Sequence, residues 1–393
     1  MQQAFQAALG HHESTQTAED ELTQARERYN QGWAAFIPNL SAGGSYLLRD
    51  PNSRLDNAWS AQLTATETLF RGGAEYAGLN ELSSLRASAE VSTLSARQAL
   101  FSSVAQAHYA ALAAALDLEN LRTLGELTQA RVKELLERAR VGRSRDTEAA
   151  SARAQAAAVQ AQIRAAQATL VQAQTAWARL TGLPGDQAPL KAGESDTIAG
   201  ARIPQPFPPL EPFLKGAASR ADVEAAQKAA DAASSARSVA VAGHLPTIAA
   251  SGNWYLDRSG ALDNGRWDAT LTVSVPLFSG GATSAHVREV GAAAHEAELR
   301  ATGVQRDADQ QVRTLYELVR SGIEQTDNLE TSVKLSEEAY KGLAKDYRLG
   351  LATNLDVLQA MNALEDARRT LDRTRCQIMA AWYQLQSASG QTL

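Results

Sequence analysis

Six histidines and one cysteine are the side chains of this 393-residue chain best suited to metal binding or nucleophilic chemistry. His11 and His12 are adjacent, so they do not form the pair one helical turn apart that binds zinc on a helix. The other histidines are scattered along the chain, and the three methionines show no regular spacing. Cys376 is the single cysteine, which excludes an intrachain disulfide. We therefore expect no metal site, no cofactor and no catalytic residues.

Charged residues offer two further features. Asp356 lies where a helix is predicted to begin, and a carboxylate there complements the positive end of the helix dipole. Four arginines surround a predicted turn, and such a cluster forms either a solvated face or a contact with an acidic partner. They are Arg138, Arg140, Arg143 and Arg145. The net charge of −6 argues against a nucleic-acid partner, which would require a dense basic surface.

Two segments, 38–70 and 246–278, alternate between apolar and polar residues, which predicts two β-hairpins with unlike faces. No stretch of about 18 apolar residues occurs, so a membrane-spanning role would depend on these strands. Strands of roughly ten residues with aromatic residues near their ends are typical of transmembrane barrels, although the core of a soluble sheet would look similar. The aromatic residues in question are Trp59, Phe70, Trp254, Tyr255, Trp267 and Phe278.

Four strands cannot close a barrel, and unpaired strand edges are not tolerated in lipid. The sequence therefore implies oligomerisation, and three copies would supply an even twelve strands. The alternative is a soluble structural protein, a coiled-coil spacer without a pore whose hairpins pack on one another. The polar face of each hairpin disfavours that alternative.

The rest of the chain is predicted to be largely helical. Helical periodicity predicts a helix over residues 1 to about 36, two long helices over 74–140 and 282–348, and return helices over 146–180 and 353–388. Gly142 and Gly350 lie in the turns between long and return helices, where glycine commonly ends a helix. Two glycine pairs, Gly72 with Gly73 and Gly280 with Gly281, are expected to let the chain bend from strand into helix.

The chain also repeats itself at an offset of 208 residues. The segment that begins at Leu69 recurs at Leu277 (277 minus 69), and Pro38 recurs at Pro246. The same offset relates Gly142 to Gly350, and a register kept over more than a hundred residues indicates an internal tandem duplication. We expect a first structural repeat at 1–182, a proline-rich connector at 183–213 and a second repeat at 214–393.

This order of features resembles the TolC-like outer-membrane efflux protein family over nearly the whole chain. The resemblance is carried by the proline-led hairpins, the Leu-Phe-x-Gly-Gly junctions, the two long helices and the segment Tyr347–Leu358. It implies an α+β membrane protein in the bacterial outer membrane, a homotrimer whose 12-stranded β-barrel continues into a 12-helix α-barrel in the periplasm. Such a protein is not an enzyme but a passive exit duct of a tripartite efflux or type I secretion system. Its partners would be a periplasmic adaptor, an inner-membrane transporter and outer-membrane lipid, and drug, metal and protein export would use the same duct.

The resemblance also assigns roles to individual residues. It implies that Asp356 forms an acidic ring at a periplasmic constriction, and that Gln359 stands where relatives often carry a second acid. It places Glu148, Thr147 and Tyr347 in contacts that hold the closed state. The helix-turn tips would dock the adaptor through Val141, Gly142, Arg143, Leu349, Gly350, Leu351 and Thr353. Because the first residues show no basic and apolar leader, we expect any signal peptide to have been removed or to precede this sequence.

Overall fold

The computed structural model describes residues 1–48, 58–142, 144–192, 203–259 and 265–390. Within these ranges the chain forms long helices and one four-stranded sheet. The helices are α1 (Gln2–His11), α2 (Glu13–Gly32), α3 (Ala74–Arg140), α4 (Asp146–Thr181), α5 (Glu211–Ala218), α6 (Ala221–Ala242), α7 (Ala282–Leu349) and α8 (Asn354–Ala388). The strands are β1 (Asn39–Leu47), β2 (Ala58–Arg71), β3 (Thr247–Arg258) and β4 (Trp267–Ser274).

The single helix expected over residues 1 to about 36 is interrupted at His12. The backbone of His12 is extended, with φ −78° and ψ 131°, and α2 begins at the next residue. The Nδ1 atom of His12 accepts a hydrogen bond from the backbone N–H of Ser14 at 3.2 Å, which serves one of the unpaired donors at the start of α2. Residues 33–36 form a short 3-10 helix. Residues 10–17 contain no apolar side chain, so apolar periodicity could not locate the break.

Equivalent elements begin 208 residues apart. The starting residues that show this are Asn39 and Thr247 (247 minus 39), Ala74 and Ala282 (282 minus 74), and Asp146 and Asn354 (354 minus 146). The break between α1 and α2 also has a counterpart between α5 and α6, because residue 12 plus 208 is residue 220. The first and second halves of the chain thus form the same elements in the same order.

One compact unit comprises residues 1–16, 95–220 and 307–393. It is helical, and α3 contributes to three buried apolar clusters along its length. The first cluster joins α1, α3 and α4 around Phe5, Phe101 and Trp177. The second and third join α3, α4 and α8, around Leu121 and Met361 in one case and around Leu135 and the α7 residue Tyr347 in the other. The α4 residues Ala149 and Ala152 are buried in the third cluster, and small side chains of this kind let helices approach closely.

Although the sequence has no unbroken run of about 18 apolar residues, helix α3 contains a stretch whose length and average composition would allow it to cross a membrane. More than half of that stretch, 56%, is buried within the protein. The core helix of a soluble protein passes the same test, and the α3 residues Leu100, Phe101, Val104 and Ala111 pack in the first cluster while Leu118 and Leu121 pack in the second. Burial of this kind accounts for the apolar composition without a membrane.

The second compact unit comprises residues 17–94 and 221–306 and contains the sheet. The four strands are antiparallel in the order β1-β2-β3-β4, so the two hairpins are joined through β2 and β3. Register shifts interrupt the β2–β3 pairing between Ala61 and Gln62 and between Thr68 and Phe70. Strands β1 and β4 lie at the two edges of the sheet.

The last strand ends earlier than the predicted hairpin 246–278. Strand β4 stops at Ser274, and Leu277 and Phe278 follow outside it with 93% and 90% of their surface exposed. Pro276 has no N–H to contribute to a strand ladder, which explains why regular pairing does not continue to the glycines. Phe278 therefore lies in the connection to α7 and not at the end of a strand.

The glycine pairs have the backbone geometry that a strand-to-helix bend requires. Gly72 and Gly73 have φ of 66° and 83°, and Gly280 and Gly281 have φ of 63° and 86°. L-amino acids with a side chain rarely adopt this left-handed region. A Cβ atom at Gly72 would also lie 2.6 Å from the Cβ of Leu245, so both conformation and space call for glycine there.

Candidate functional site

One face of the sheet is apolar and exposed to solvent. Leu40, Trp267 and Leu271, for example, have 73%, 66% and 65% of their surface exposed. Strand pairing places these residues on one side, because Leu63 lies opposite Trp254, which in turn lies opposite Trp267. A continuous apolar surface of this kind marks contact with a membrane or with another protein. Glu67, opposite Ala250, is a charged residue on this face, toward the glycine end of β2.

The other face of the sheet is polar and hydrogen-bonded across the strands. The hydroxyls of Ser45 and Ser60 lie 2.9 Å apart, and the Thr64 hydroxyl donates to Asn253 Oδ1 at 2.8 Å. Asn253 Nδ2 donates to Asp268 Oδ1 at 2.9 Å. Polar groups on such a face are stable in contact with water, whereas their transfer into hydrocarbon would be unfavourable in free energy.

Tyr255 differs from the other aromatic residues that the sequence assigned to interfacial belts. It follows Trp254 directly, so its side chain lies on the opposite, polar face. Its hydroxyl donates to Asp268 Oδ2 at 2.7 Å. Trp59, Trp254 and Trp267 remain on the apolar face and are exposed.

The start of α8 holds Asp356 in a capping box. Asp356 Oδ2 accepts hydrogen bonds from the hydroxyl of Thr353 at 2.6 Å and from its backbone N–H at 2.8 Å. The Thr353 hydroxyl in turn accepts from the backbone N–H of Asp356 at 3.3 Å. These hydrogen bonds, first from the Thr353 hydroxyl and then from its backbone N–H, hold the pKa of Asp356 below its usual value. The carboxylate is partly exposed, so it is available to solvent while it caps the helix.

The neighbouring candidates at this end of the helical unit have separate surroundings. Gln359 and Thr147 are exposed. Glu148 Oε2 accepts a hydrogen bond from the Ser144 hydroxyl at 2.6 Å. The structure therefore pairs Asp356 with Thr353 and Glu148 with Ser144, each within its own turn.

Tyr347 is buried between helices beneath two arginines. The guanidinium carbon of Arg131 lies 3.8 Å from the centroid of the Tyr347 ring, and that of Arg138 lies 4.9 Å from it. Glu134 forms salt bridges with both arginines, at 2.7 Å and 2.9 Å. Arg131 Nε also donates to Asn354 Oδ1 at 2.9 Å.

Sequence reasoning missed Arg131, Glu134 and Asn354 as members of this cluster. Arg131, Glu134 and Arg138 are spaced by three and four residues, which predicts ion pairs along one helix face. That spacing does not identify Tyr347 as the residue beneath them. The ring lies 216 positions after Arg131 (347 minus 131), so packing between helices decides the contact.

The two turns at the helix ends expose apolar side chains. Val141, Leu349 and Leu351 have 69%, 64% and 77% of their surface exposed. Gly142 and Gly350 have φ of 71° and 78°, as expected for helix-ending glycines. Arg143, also assigned to these tips, lies outside the described residues.

Farther along α8, Glu365 is a carboxyl group with only 1% of its surface exposed. Arg368 Nη1 donates to Glu365 Oε1 at 2.9 Å, while Oε2 has no hydrogen-bond partner in the part of the chain that the structure describes. Burial raises the pKa of Glu365, and the positive charge of Arg368 only partly opposes this. Arg368 also pairs with Glu337 at 3.4 Å.

Comparison with known proteins gives a consistent result. The family model described as outer membrane efflux protein matches residues 216–391. The protease secretion protein PrtF of Dickeya chrysanthemi is 32% identical over 154 residues, an alignment that covers 38% of this chain and a third (33%) of PrtF. The outer membrane protein TolC of Escherichia coli strain K12 is 25% identical, over 99% of this chain and 82% of TolC.

The fold is likewise that of a solved outer-membrane protein. The crystal structure of the outer membrane protein VceC from Vibrio cholerae superposes with a TM-score of 0.84 at 22% identity, covering 98% of this chain and 95% of VceC. The resemblance expected from the sequence is thereby confirmed, together with a mixed fold of long helices and a four-stranded sheet. The chain is thus similar to outer-membrane efflux and secretion proteins over nearly its whole length, and the family model matches its second half.

Proposed function

We propose that this chain forms the outer-membrane exit duct of a tripartite efflux or type I secretion system and exports its cargo passively from the periplasm. The observation that carries the proposal is the pair of unlike sheet faces, one apolar and exposed, the other polar and hydrogen-bonded. In a barrel the apolar face would meet lipid and the polar face would line water. Similarity to outer-membrane efflux proteins supports the same location, the bacterial outer membrane with a large helical portion in the periplasm.

The duct is proposed to be a homotrimer. Strands β1 and β4 are the sheet edges, and an open edge is not tolerated in hydrocarbon. Two copies would give eight strands, whose interior is just wide enough for side chains, whereas three give twelve and leave a channel. Each chain would contribute two repeats, 1–182 and 214–393, joined by the connector 183–213, and the helices of three chains would form a 12-helix α-barrel.

The periplasmic end is proposed to contain the gate. Asp356 of each copy would contribute to an acidic ring, with Gln359 in place of a second acid, and Glu148, Thr147 and Tyr347 would hold the closed state. The capping box supports this role because it keeps the Asp356 carboxylate ionised and partly exposed. Exposed Val141, Leu349 and Leu351 would make the turns suitable for docking an apolar adaptor tip, with an inner-membrane transporter supplying energy.

The relatives' names point to two classes of cargo. PrtF and AprF are named for protease secretion, whereas BepC is named as an efflux protein. We propose export of small molecules or polypeptides through the same duct, because serine and threonine side chains such as Ser45, Ser60 and Thr64 line much of the polar face. Outer-membrane lipid would be its other contact.

The proposal is tested by purifying the protein and reconstituting it in planar lipid bilayers. We expect a detergent-requiring trimer by light scattering and cross-linking, and discrete channel conductance after reconstitution. A monomer that stays soluble without detergent and conducts no ions would overturn the proposal in favour of the soluble coiled-coil spacer. The Cys376→Ala variant offers a cysteine-free background for cross-linking, since Cys376 is the single cysteine.

A further inference from the structure

A row of polar residues crosses the polar face of the sheet and ends in a carboxylate. Ser41 lies opposite Thr64, Thr64 opposite Asn253, and Asn253 opposite Asp268. The hydrogen bonds from Thr64 to Asn253 and from Asn253 to Asp268 follow this row. Because both bonds join neighbouring strands, the sheet itself fixes where the carboxylate lies.

Tyr255 supplies Asp268 with a second donor. Its hydroxyl donates to Oδ2 while Asn253 donates to Oδ1, so both carboxylate oxygens are held. Charge-assisted hydrogen bonds of this kind are stronger than neutral ones and restrict the geometry. A row of neutral Ser, Thr and Asn side chains would stabilise strand pairing equally well, so cross-strand stability does not explain why this position carries a charge.

Arg258 holds the opposite charge beside the same tyrosine. It lies opposite Ser60 on the polar side of β2. Its guanidinium carbon lies 4.1 Å from the centroid of the Tyr255 ring, and its Nη2 donates to the backbone carbonyl of Gly265. Tyr255 thus contacts a fixed anion through its hydroxyl and a fixed cation through its ring face.

We propose that Asp268 and Arg258 determine the ion preference of the outer end of the duct. This inference rests on the proposed function, because the polar face lines a pore only in a closed barrel. Both residues lie toward the hairpin turns of β3 and β4, away from the glycine junctions. Three copies would place three Asp268 carboxylates and three Arg258 guanidinium groups near the mouth.

The test is the reversal potential of single channels in a potassium chloride gradient. At about 0.1 M salt the Debye length is about 10 Å, so a fixed charge in the pore wall acts on ions that pass within about 10 Å of it. Asp268→Asn is expected to raise the chloride-to-potassium permeability ratio about twofold or more, and Arg258→Gln to lower it by a similar factor. The double variant is expected to return toward the ratio of the unmodified protein. All shifts are expected to shrink at about 1 M salt, where the Debye length is about 3 Å.

Glu21→Gln is the matched control. It also removes one negative charge, but from an exposed position on α2 outside the sheet, and it is expected to leave the ratio unchanged. Conducting channels whose ratio responds to neither Asp268→Asn nor Arg258→Gln would overturn this inference and leave the export duct standing. Failure of the unmodified protein to conduct would overturn both.

A second measurement does not depend on conductance. In the Cys376→Ala background, the thiol of an Asp268→Cys variant is expected to react in proteoliposomes with a water-soluble thiol reagent. The thiol of a Trp267→Cys variant, on the apolar face, is expected to be protected. The reverse pattern of labelling would overturn the inference, because Asp268 would then face lipid or protein.

Discussion

The guanidinium group of Arg131 stacks on the ring of Tyr347, with 3.8 Å between the guanidinium carbon and the ring centroid. This contact joins α3 to the end of α7, and Glu134 holds both Arg131 and the second arginine over the ring, Arg138. Tyr347 is buried among apolar residues. The closed state assigned to Tyr347 would therefore depend on the face of its ring at least as much as on its hydroxyl.

Replacing Tyr347 separates these two contributions. Tyr347→Leu removes the aromatic face and is expected to cost about 0.5–2 kcal/mol of packing stability. We expect it to raise the conductance of the closed channel in planar bilayers. Tyr347→Phe keeps the ring and is the matched control, with little expected change. An equal rise in both variants would show that the hydroxyl, and not the arginine contact, holds the closed state.

Gln359 can be used to test the acidic constriction. It lies three residues after Asp356 and is exposed, so Gln359→Asp would add a second carboxylate one helical turn away. Three added charges at roughly 6 Å from a bound cation are expected to tighten block by a trivalent cation about tenfold or more. Block is measured as the fall of single-channel current with added cation. Gln359→Asn controls for side-chain length, and equal block by the two variants would place position 359 away from the constriction.

The two strand-to-helix glycine junctions allow the cost of backbone strain to be separated from the cost of a steric clash with a new Cβ atom. Gly72 and Gly280 have nearly the same φ, 66° and 63°. A new Cβ at Gly72 would lie 2.6 Å from Leu245 and 2.9 Å from the Ala242 carbonyl, whereas none of the described atoms lies within 4 Å of one at Gly280. Gly280→Ala is expected to cost about 1–2 kcal/mol from backbone strain alone.

We expect Gly72→Ala to cost more than Gly280→Ala, with a lower thermal denaturation midpoint by circular dichroism. Equal midpoints for the two variants would mean that Leu245 moves aside without cost.

Glu365 predicts a specific dependence of stability on pH. Its pKa is raised in the folded state, so folding favours the protonated form of this carboxyl. The stability it contributes is therefore greatest below its unfolded pKa of about 4.3 and declines as pH rises through the folded value. Glu365→Gln removes this dependence, and its stability relative to the unmodified protein is expected to increase by about 1 kcal/mol between about pH 4 and pH 8.

Thermal denaturation at several pH values measures this difference. Glu338→Gln, a change at an exposed position on α7, is expected to show a relative stability that does not vary with pH in this way. A relative stability of Glu365→Gln that falls as pH rises would mean that the ion pair with Arg368 outweighs the cost of burial.

The sequence alone was sufficient for the regular elements, because helix and strand periods depend on neighbours only a few residues away. Observed helices α3 and α7 have the limits expected from pattern, within one residue. Alternation also separated Trp267 from Asp268 on the two faces of a strand, and the 208-residue offset related the two halves. Two local details escaped this reasoning. The helix break at His12 lies in a polar stretch, residues 10–17, that carries no apolar period, and the early end of β4 depends on a missing N–H at Pro276.

Only the tertiary structure decided which distant side chains meet. Arg131 reaches Tyr347 because α3 packs against α7, and Tyr255 reaches Asp268 because the β3–β4 register places them together. Asp356 depends on both sequence and tertiary structure. Its place at the start of a helix follows from the sequence, whereas the two hydrogen bonds that it accepts from Thr353 form only once the backbone of the turn is folded. Periodicity predicts which face of a helix or strand a residue occupies. It does not predict the distances between helices or between strands, and these distances decide which residues are in contact.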